Sequence, residues 1–161
     1  MVGHKLVGVL YGYAGYIGAA YGFGLSLLIR LELLATGSGV VRGVKECWMY
    51  NGWISAHGIV MLFLFVMPMA IGGYGNFLLP LLCGSSEMVM PRMNGRSLWL
   101  LVVAVVTALL AQVLFVRPLC SGWTLYPPLV TRDGDALCIA TDLSLVCVHV
   151  LGLSSGLGAI N

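Results

Sequence analysis

Two histidines, His57 and His149, lie inside long apolar stretches of the sequence, each about seven residues from the beginning of its stretch. An imidazole is costly to bury in an apolar environment and is a candidate for function there. Each ring can hydrogen-bond to a neighbouring helix or bind haem iron through a neutral nitrogen. Helices that run in the same direction would hold the two rings at similar depth, which suits a bis-histidine haem. The third histidine, His4, lies near the amino terminus, and we expect it to be solvated.

Polar residues cluster at the other end of the stretch that holds His57. Asn76 follows His57 by 19 residues, which is about 28 Å along an α-helix. A polar segment comes next and contains Glu87, Asn94 and two arginines. This segment could admit protons, or it could be an ordinary solvated loop.

A second set of polar residues lies on the stretch that holds His149. Ser154 and Asn161 are seven residues apart and share one face of a helix, and Ser155 lies beside them. Such a stripe can line a file of water or bond neighbouring helices, and periodicity alone does not choose between the two.

The elements that position these residues are membrane helices. The chain has 161 residues, of which 60% are hydrophobic and only 9% are charged, and its mean hydropathy is +0.99. A soluble domain carries roughly a quarter of its residues as charged ones, so this composition requires a bilayer. A net charge of +2 without a cluster of Lys and Arg argues against a nucleic-acid partner.

Stretches without ionisable residues predict the spans, because each crossing needs about 20 apolar residues. We predict an all-α, polytopic, single membrane-embedded unit with four transmembrane helices. Pro68 should kink the second helix. Gly8 and Gly12, and likewise Gly18 and Gly22, should allow a neighbouring backbone to approach the first helix closely. The predicted spans are 6–34, 50–82, 97–117 and 141–161.

The five cysteines form no Cys-x-x-Cys motif and are interpreted as small apolar residues. Cys47, Cys120 and Cys138 fall toward loops on one side of the predicted bundle. A disulfide among them is conceivable if that side faces an oxidising compartment.

Several long segments resemble subunit I of cytochrome c oxidase, a haem-copper oxygen reductase. They occur in the same order and spacing over most of the chain. The segments are SLLIRLEL (26–33), SAHGIVMLFLFVMPMAIGGYGNFLLP (55–80), EMVMPRMNGRSLW (87–99), SGWTLYPPL (121–129) and GLSSGLGAIN (152–161).

The resemblance implies a haem site at the His57 end. His57 matches one of the two axial ligands of the low-spin haem a, and Arg30 matches the arginine that bonds the haem a formyl group. Trp123 matches a tryptophan near the haem propionates. Glu32 matches a ligand of a peripheral cation site, although the loop after it departs from the family pattern. His149 matches no metal ligand, which returns it to a hydrogen-bonding role.

The resemblance also implies a proton route at the opposite end. Glu87 occupies the mouth of the family's D proton pathway, where an aspartate is usual. The family's orientation puts the amino terminus and Glu87 inside, opposite to a weak count of positive charges. The residues that match the water-lining positions of that pathway are Asn76, Asn94, Ser154, Ser155 and Asn161.

The family fold has twelve helices, and this sequence resembles the first four. The ligands of the high-spin haem and of copper belong to later helices, so those cofactors are expected outside these residues. We therefore expect an amino-terminal portion, completed by a separate chain or by downstream sequence. The expected partners are that remainder, other oxidase subunits, cytochrome c and membrane lipid. The expected location is the mitochondrial inner membrane, with the bacterial plasma membrane as the alternative.

Other classes of protein remain open on the residues alone. A stand-alone four-helix b-type cytochrome would hold one haem between His57 and His149. A small proton-coupled transporter would use Glu87 and the Asn/Ser stripe without haem. A structural membrane subunit would use neither.

Overall fold

Four long helices make up the fold in a computed structural model, which describes residues 3–34, 47–113, 119, 121–127 and 134–161. Helix α1 is His4–Leu34, and helix α2 runs from Cys47 to Leu82 through four consecutive helical segments. Helix α3 is Pro91–Val113, and helix α4 is Gly134–Ile160. No strand occurs within these residues. The predicted all-α class with four membrane-spanning helices is confirmed.

The four helices begin earlier than the predicted spans do. Helix α3 starts at Pro91 instead of 97 and includes Arg92 and Arg96 in its first turns. Long basic side chains at the end of a span can extend toward the membrane surface, so a charge there does not end the helix. Helix α4 likewise starts at Gly134 instead of 141. The predicted end of the third span at 117 lies outside the described residues.

Helix α2 changes its winding in the middle. It is α-helical over Cys47–Ile59 and Asn76–Leu82, and π-helical over Val60–Val66 and Pro68–Gly75. A π-helix bonds i to i+5 instead of i to i+4 and is rare beyond a single turn. Pro68 lies at the beginning of the second π segment. The chain thus passes the proline, which cannot donate a backbone hydrogen bond, with wider turns.

The wider turns keep one side of α2 against its neighbours from Val60 to Pro80. Buried positions recur every four residues, at 60, 64, 68, 72, 76 and 80, and Gly73 is buried as well. On an α-helix such a repeat drifts by 40° at each step, or about 200° over these positions. The same side chains would then wind round to the opposite face.

Helices α1 and α2 pack through glycines, as predicted. A Cβ atom at Gly18 would lie 2.7 Å from the carbonyl oxygen of Leu64, and one at Gly8 would lie 3.0 Å from that of Gly73. A Cβ at Gly22 would lie 2.5 Å from the Sδ atom of Met61. Small residues let the backbones approach closely in a membrane, where lipid removes the hydrophobic drive for association.

Among the described residues, the contact between helices α3 and α4 is second in extent only to that between α1 and α2. Ala104 and Ala108 of α3 are buried, as are Cys147 and Leu151 of α4. They join one core with residues of α1 and α2, namely Val7, Tyr11, Val60 and Leu64. Many large apolar side chains stay on the outside, as expected for helices that face lipid or further helices.

Candidate functional site

His57 is held by helix α1. It lies in the α-helical first part of α2 and is half-buried. Its Nδ1 atom is 2.9 Å from the carbonyl oxygen of Gly22. A carbonyl can only accept, so Nδ1 carries the proton, and the lone pair of the neutral ring lies on Nε2. Metal-binding histidines almost always donate their other ring nitrogen in this way. The donor chemistry of His57 therefore fits an axial haem ligand.

Trp123 lies beside His57 in the fold. Its indole packs on the backbone of Gly58, where a Cβ atom would come within 3.2 Å of the ring. The ring centroid is 6.5 Å from that of Phe63. The amide of Gly122 donates to the Oγ atom of Ser55 at 2.9 Å and fastens this segment to α2. The structure thus brings together two of the residues predicted at the haem end.

Arg30 and Glu32 lie on α1 toward the same end of the bundle. Arg30 is exposed and follows Gly22 by eight residues, which is about 12 Å along the helix. Glu32 is half-buried. The loop that would complete its cation site, 35–46, lies outside the described residues. The same holds for the predicted cysteine pairing, because the side chains of Cys47, Cys120 and Cys138 are outside the described part.

His149 is exposed on α4, and its Nδ1 atom is 2.8 Å from the carbonyl oxygen of Leu145 on the same helix. The histidine therefore hydrogen-bonds, as expected from its return to that role. Its partner is one turn away in its own helix and not on a neighbouring one.

At the opposite end, His4 is buried with only 4% of its surface exposed. The expectation that it is solvated was wrong. Its backbone amide donates to the Glu87 carboxylate at 3.3 Å, and its Nδ1 donates to the carbonyl oxygen of Asn76 at 3.0 Å. His4 is the first residue of α1, where backbone amides lack partners within the helix. A carboxylate caps that amide and interacts favourably with the positive end of the helix dipole.

Glu87, Asn76 and Asn161 line one open cleft of about 580 Å³ between the ends of α2 and α4. The Asn76 amide donates to the carbonyl oxygen of Gly72 at 2.7 Å. Asn161 accepts a hydrogen bond of 2.7 Å from the amide of Met90. Its Nδ2 atom is buried and has no partner within the described residues. Three of the six residues predicted for the proton route therefore share one cleft.

A polar cluster lies deeper in the bundle, between α1, α3 and α4. The Tyr11 hydroxyl donates to the Oγ atom of Ser97 at 2.9 Å and lies 3.1 Å from that of Ser154. Ser154 Oγ also donates to the Ser97 carbonyl at 2.7 Å, and Ser97 Oγ donates to the carbonyl of Asn94 at 2.7 Å. Asn94 is buried, and its Oδ1 atom has no partner in the described part of the chain. Ser155 is half-buried next to Ser154.

Sequence reasoning missed Tyr11, Ser97 and His4. Tyr11 follows His4 by two helical turns, and Ser97 follows Asn94 by three residues, so each shares a face with its predecessor. That spacing indicates that each residue belongs to the same polar face as its predecessor. The indication is weak, because a lone tyrosine or serine is common in membrane helices.

The comparison with known proteins decides the family. Residues 6–161 match the sequence model described as Cytochrome C and Quinol oxidase polypeptide I. This chain belongs to that family. The match covers nearly the whole chain, as the resemblance predicted.

Curated members of the family named cytochrome c oxidase subunit 1 are similar to this chain. The protein of Yarrowia lipolytica (strain CLIB 122 / E 150) is 42% identical over 160 residues, which cover 98% of this chain and 29% of the relative. That of Mytilus edulis is 39% identical over 161 residues, covering 98% and 28%. That of Strigomonas oncopelti is 38% identical over 160 residues, covering 99% and 46%. The chain thus spans less than half the length of these relatives and corresponds to their amino-terminal part.

Proposed function

We propose that this chain is the amino-terminal part of the catalytic subunit of cytochrome c oxidase, with one side of the haem a site at one end and the D pathway entrance at the other. Family membership over residues 6–161 supports the assignment. The observation that carries it is the hydrogen bond from His57 Nδ1 to the carbonyl of Gly22, which leaves Nε2 as the ligating atom.

In this proposal His57 would hold haem a through Nε2, and the haem would supply single-electron transfer. The Gly22 carbonyl fixes the tautomer of His57 and the orientation of its ring. Arg30 would bond the formyl group, and its positive charge would favour the reduced state of the haem. Trp123 would lie near the propionates. Of these residues, His57 and Trp123 are already adjacent through Gly58.

The second axial ligand, the high-spin haem and copper belong to the remainder of subunit I, either on another chain or downstream. This chain has three histidines. Oxygen reduction with electrons from cytochrome c would therefore require that remainder and the other oxidase subunits.

At the opposite end, Glu87 would collect protons from bulk water. Its carboxylate is exposed at the cleft that Asn76 and Asn161 also line. Asparagine and serine do not exchange protons readily near neutral pH, but they hold water molecules that do. The unpartnered buried atoms Asn94 Oδ1 and Asn161 Nδ2 suit such water. Ser154 and Ser155 would continue the line inward, and Tyr11 extends it to α1.

The proposed location is the mitochondrial inner membrane, or the plasma membrane if the host is bacterial. Among the described residues, four helices are long and apolar enough to cross a bilayer, which supports a multi-pass protein. Glu87 and the amino terminus would then face the inner compartment, and His57 would lie toward the outer surface.

The decisive experiment is a reduced-minus-oxidised absorbance spectrum of the native complex with His57→Leu. We expect the haem a band to be lost, because α2 contains no other histidine that could take its place. His149→Leu is the matched control, since its ring bonds only within α4 in the described structure, and it should leave the band intact. A haem b band that depends on His149 would instead indicate the stand-alone cytochrome. Absence of haem in the unaltered complex would contradict both assignments.

A further inference from the structure

Ser55 is a buried serine on α2 whose hydroxyl makes two hydrogen bonds. Only 1% of its surface is exposed. The hydroxyl donates its single proton to the carbonyl oxygen of Asn51, one turn earlier in α2, at 2.9 Å. The lone pairs of the oxygen remain to accept, and the amide of Gly122 donates to this oxygen at 2.9 Å. The bond within the helix thus orients the hydroxyl as an acceptor for a segment outside the helix.

The bond to Gly122 attaches the segment 121–127 to α2. Among the described residues it is the one hydrogen bond that joins this segment to a helix. The backbone of the segment is irregular, with a φ of 78° at Gly122 and of 55° at Leu125. A left-handed conformation is unfavourable for leucine, so the turn needs support from its surroundings. Ser55 provides such support.

Trp123 follows Gly122 directly and packs beside His57. A Cβ atom at Gly58 would lie 3.2 Å from the Trp123 ring, so the indole lies on the bare backbone of the residue after His57. The centroid of the Trp123 six-membered ring system is 6.5 Å from that of Phe63, further along α2. Half of the Trp123 surface stays exposed. The indole is therefore packed on one side only, and its position depends on how firmly the backbone before it is held.

We propose that Ser55 is a positioning residue for Trp123 at the haem end of the bundle. Its hydroxyl holds the Gly122 amide, and the held amide keeps the indole against Gly58, next to His57. This inference rests on the proposed function, in which Trp123 would lie near the haem propionates. An indole in that place would exclude water, and burial is one of the factors that set the potential of a haem. Release of the segment would admit water, which stabilises the oxidised state with its additional positive charge.

The first measurement is hydrogen–deuterium exchange of the purified native complex, followed by mass spectrometry of peptides that contain residues 121–127. Ser55→Ala removes the acceptor and keeps a good helix former. We expect exchange in these peptides to become about fivefold faster at the Gly122 amide, the protection that one hydrogen bond of typical strength provides. Ser55→Thr keeps a hydroxyl and should retain the protection. Exchange in Ser55→Ala equal to that of the unaltered complex would overturn the proposal.

Ser144→Ala is the matched control. Ser144 is also buried, with 7% of its surface exposed, and its hydroxyl donates to the carbonyl oxygen of Ala140, one turn earlier in α4, at 2.8 Å. In the described part of the chain that hydroxyl accepts no hydrogen bond from another segment. The control therefore removes the same group without touching the segment 121–127, whose exchange should not change. An equal acceleration in Ser144→Ala would indicate general loosening of the bundle and would overturn the proposal.

A redox titration of the same variants, followed by the haem a absorbance, is the second measurement. We expect a lower midpoint potential in Ser55→Ala and an unchanged one in Ser55→Thr and Ser144→Ala. An unchanged potential in Ser55→Ala would contradict this role of Ser55 alone. Absence of haem a from the unaltered complex would contradict the proposed function and, with it, this role.

Discussion

Hydrogen bonds at Glu87 and His4 illustrate how a single residue acquires two roles. The Glu87 carboxylate caps the first turn of α1 through the His4 amide. It is also exposed in the cleft that Asn76 lines. The cap satisfies an amide that lacks a partner within the helix, and exposure to water allows the carboxylate to exchange protons.

Replacing Glu87 separates these two roles. Glu87→Gln keeps an oxygen that can accept from the His4 amide but removes the group that takes up a proton. We expect oxygen reduction by the complex to slow by about tenfold or more, with an unchanged haem a spectrum. Steady-state oxygen consumption and the absorbance spectrum of one preparation measure both.

Glu87→Asp is the control for that change, because it restores a carboxylate one methylene shorter and should retain turnover. Oxygen consumption by Glu87→Gln equal to that of the unaltered complex would show that protons enter elsewhere.

At the scale of the helix, the contact between α1 and α2 depends on missing side chains. A Cβ at Gly18 would lie 2.7 Å from the backbone oxygen of Leu64, which cannot move without shifting α2. At Gly24, six residues along the same helix, a Cβ would meet nothing within 4 Å. The two glycines therefore form a matched pair in one helix.

Gly18→Ala should destabilise the folded protein by about 1–3 kcal/mol, the usual cost of overpacking. Gly24→Ala should be neutral or slightly stabilising, because alanine favours the helix and meets no neighbour. Thermal unfolding of the purified complex in one detergent compares the two. Equal midpoints would mean that α1 and α2 tolerate a wider separation than the structure shows.

The π-helical winding of α2 determines which of its side chains face the neighbouring helices. Its π-helical turns keep Val60, Leu64 and Asn76 on the packed side of one helix. The predicted kink at Pro68 was a local expectation about one missing hydrogen bond. In the structure, the helix accommodates the proline through two π-helical segments, one on either side of Met67.

At the scale of the molecule, the four helices place the two proposed sites at opposite ends of one bundle. The proposed haem side is open, because Trp123 and Arg30 are exposed and His57 is only half-buried. The cleft at Glu87 is likewise open between the ends of α2 and α4. Both observations suit an amino-terminal portion whose remaining helices would cover these surfaces.

Affinity purification of this chain from its native membrane tests that view. We expect it to carry haem a together with the sequence of the later helices, including the copper-binding histidines. Mass spectrometry of the denatured sample determines whether that sequence lies on a second polypeptide or on the same one. Purification as a haem-free four-helix protein without such sequence would contradict the proposed function.

The sequence by itself determined that the chain lies in a bilayer, that its fold is all-α and which family it belongs to. Membrane helices satisfy their backbone hydrogen bonds internally, so an apolar stretch of sufficient length predicts a helix with little help from its neighbours. The long motifs carried His57, Arg30, Trp123 and the asparagine and serine set. Only the tertiary structure decided that His4 is buried, that Tyr11 joins Ser97 and Ser154, and that the His57 ring bonds Gly22. Each of these depends on contacts between helices, and the spacing of residues along one helix carries no information about such contacts. In addition, α2 departs from the α-helical period of 3.6 residues where its π-helical turns meet α1.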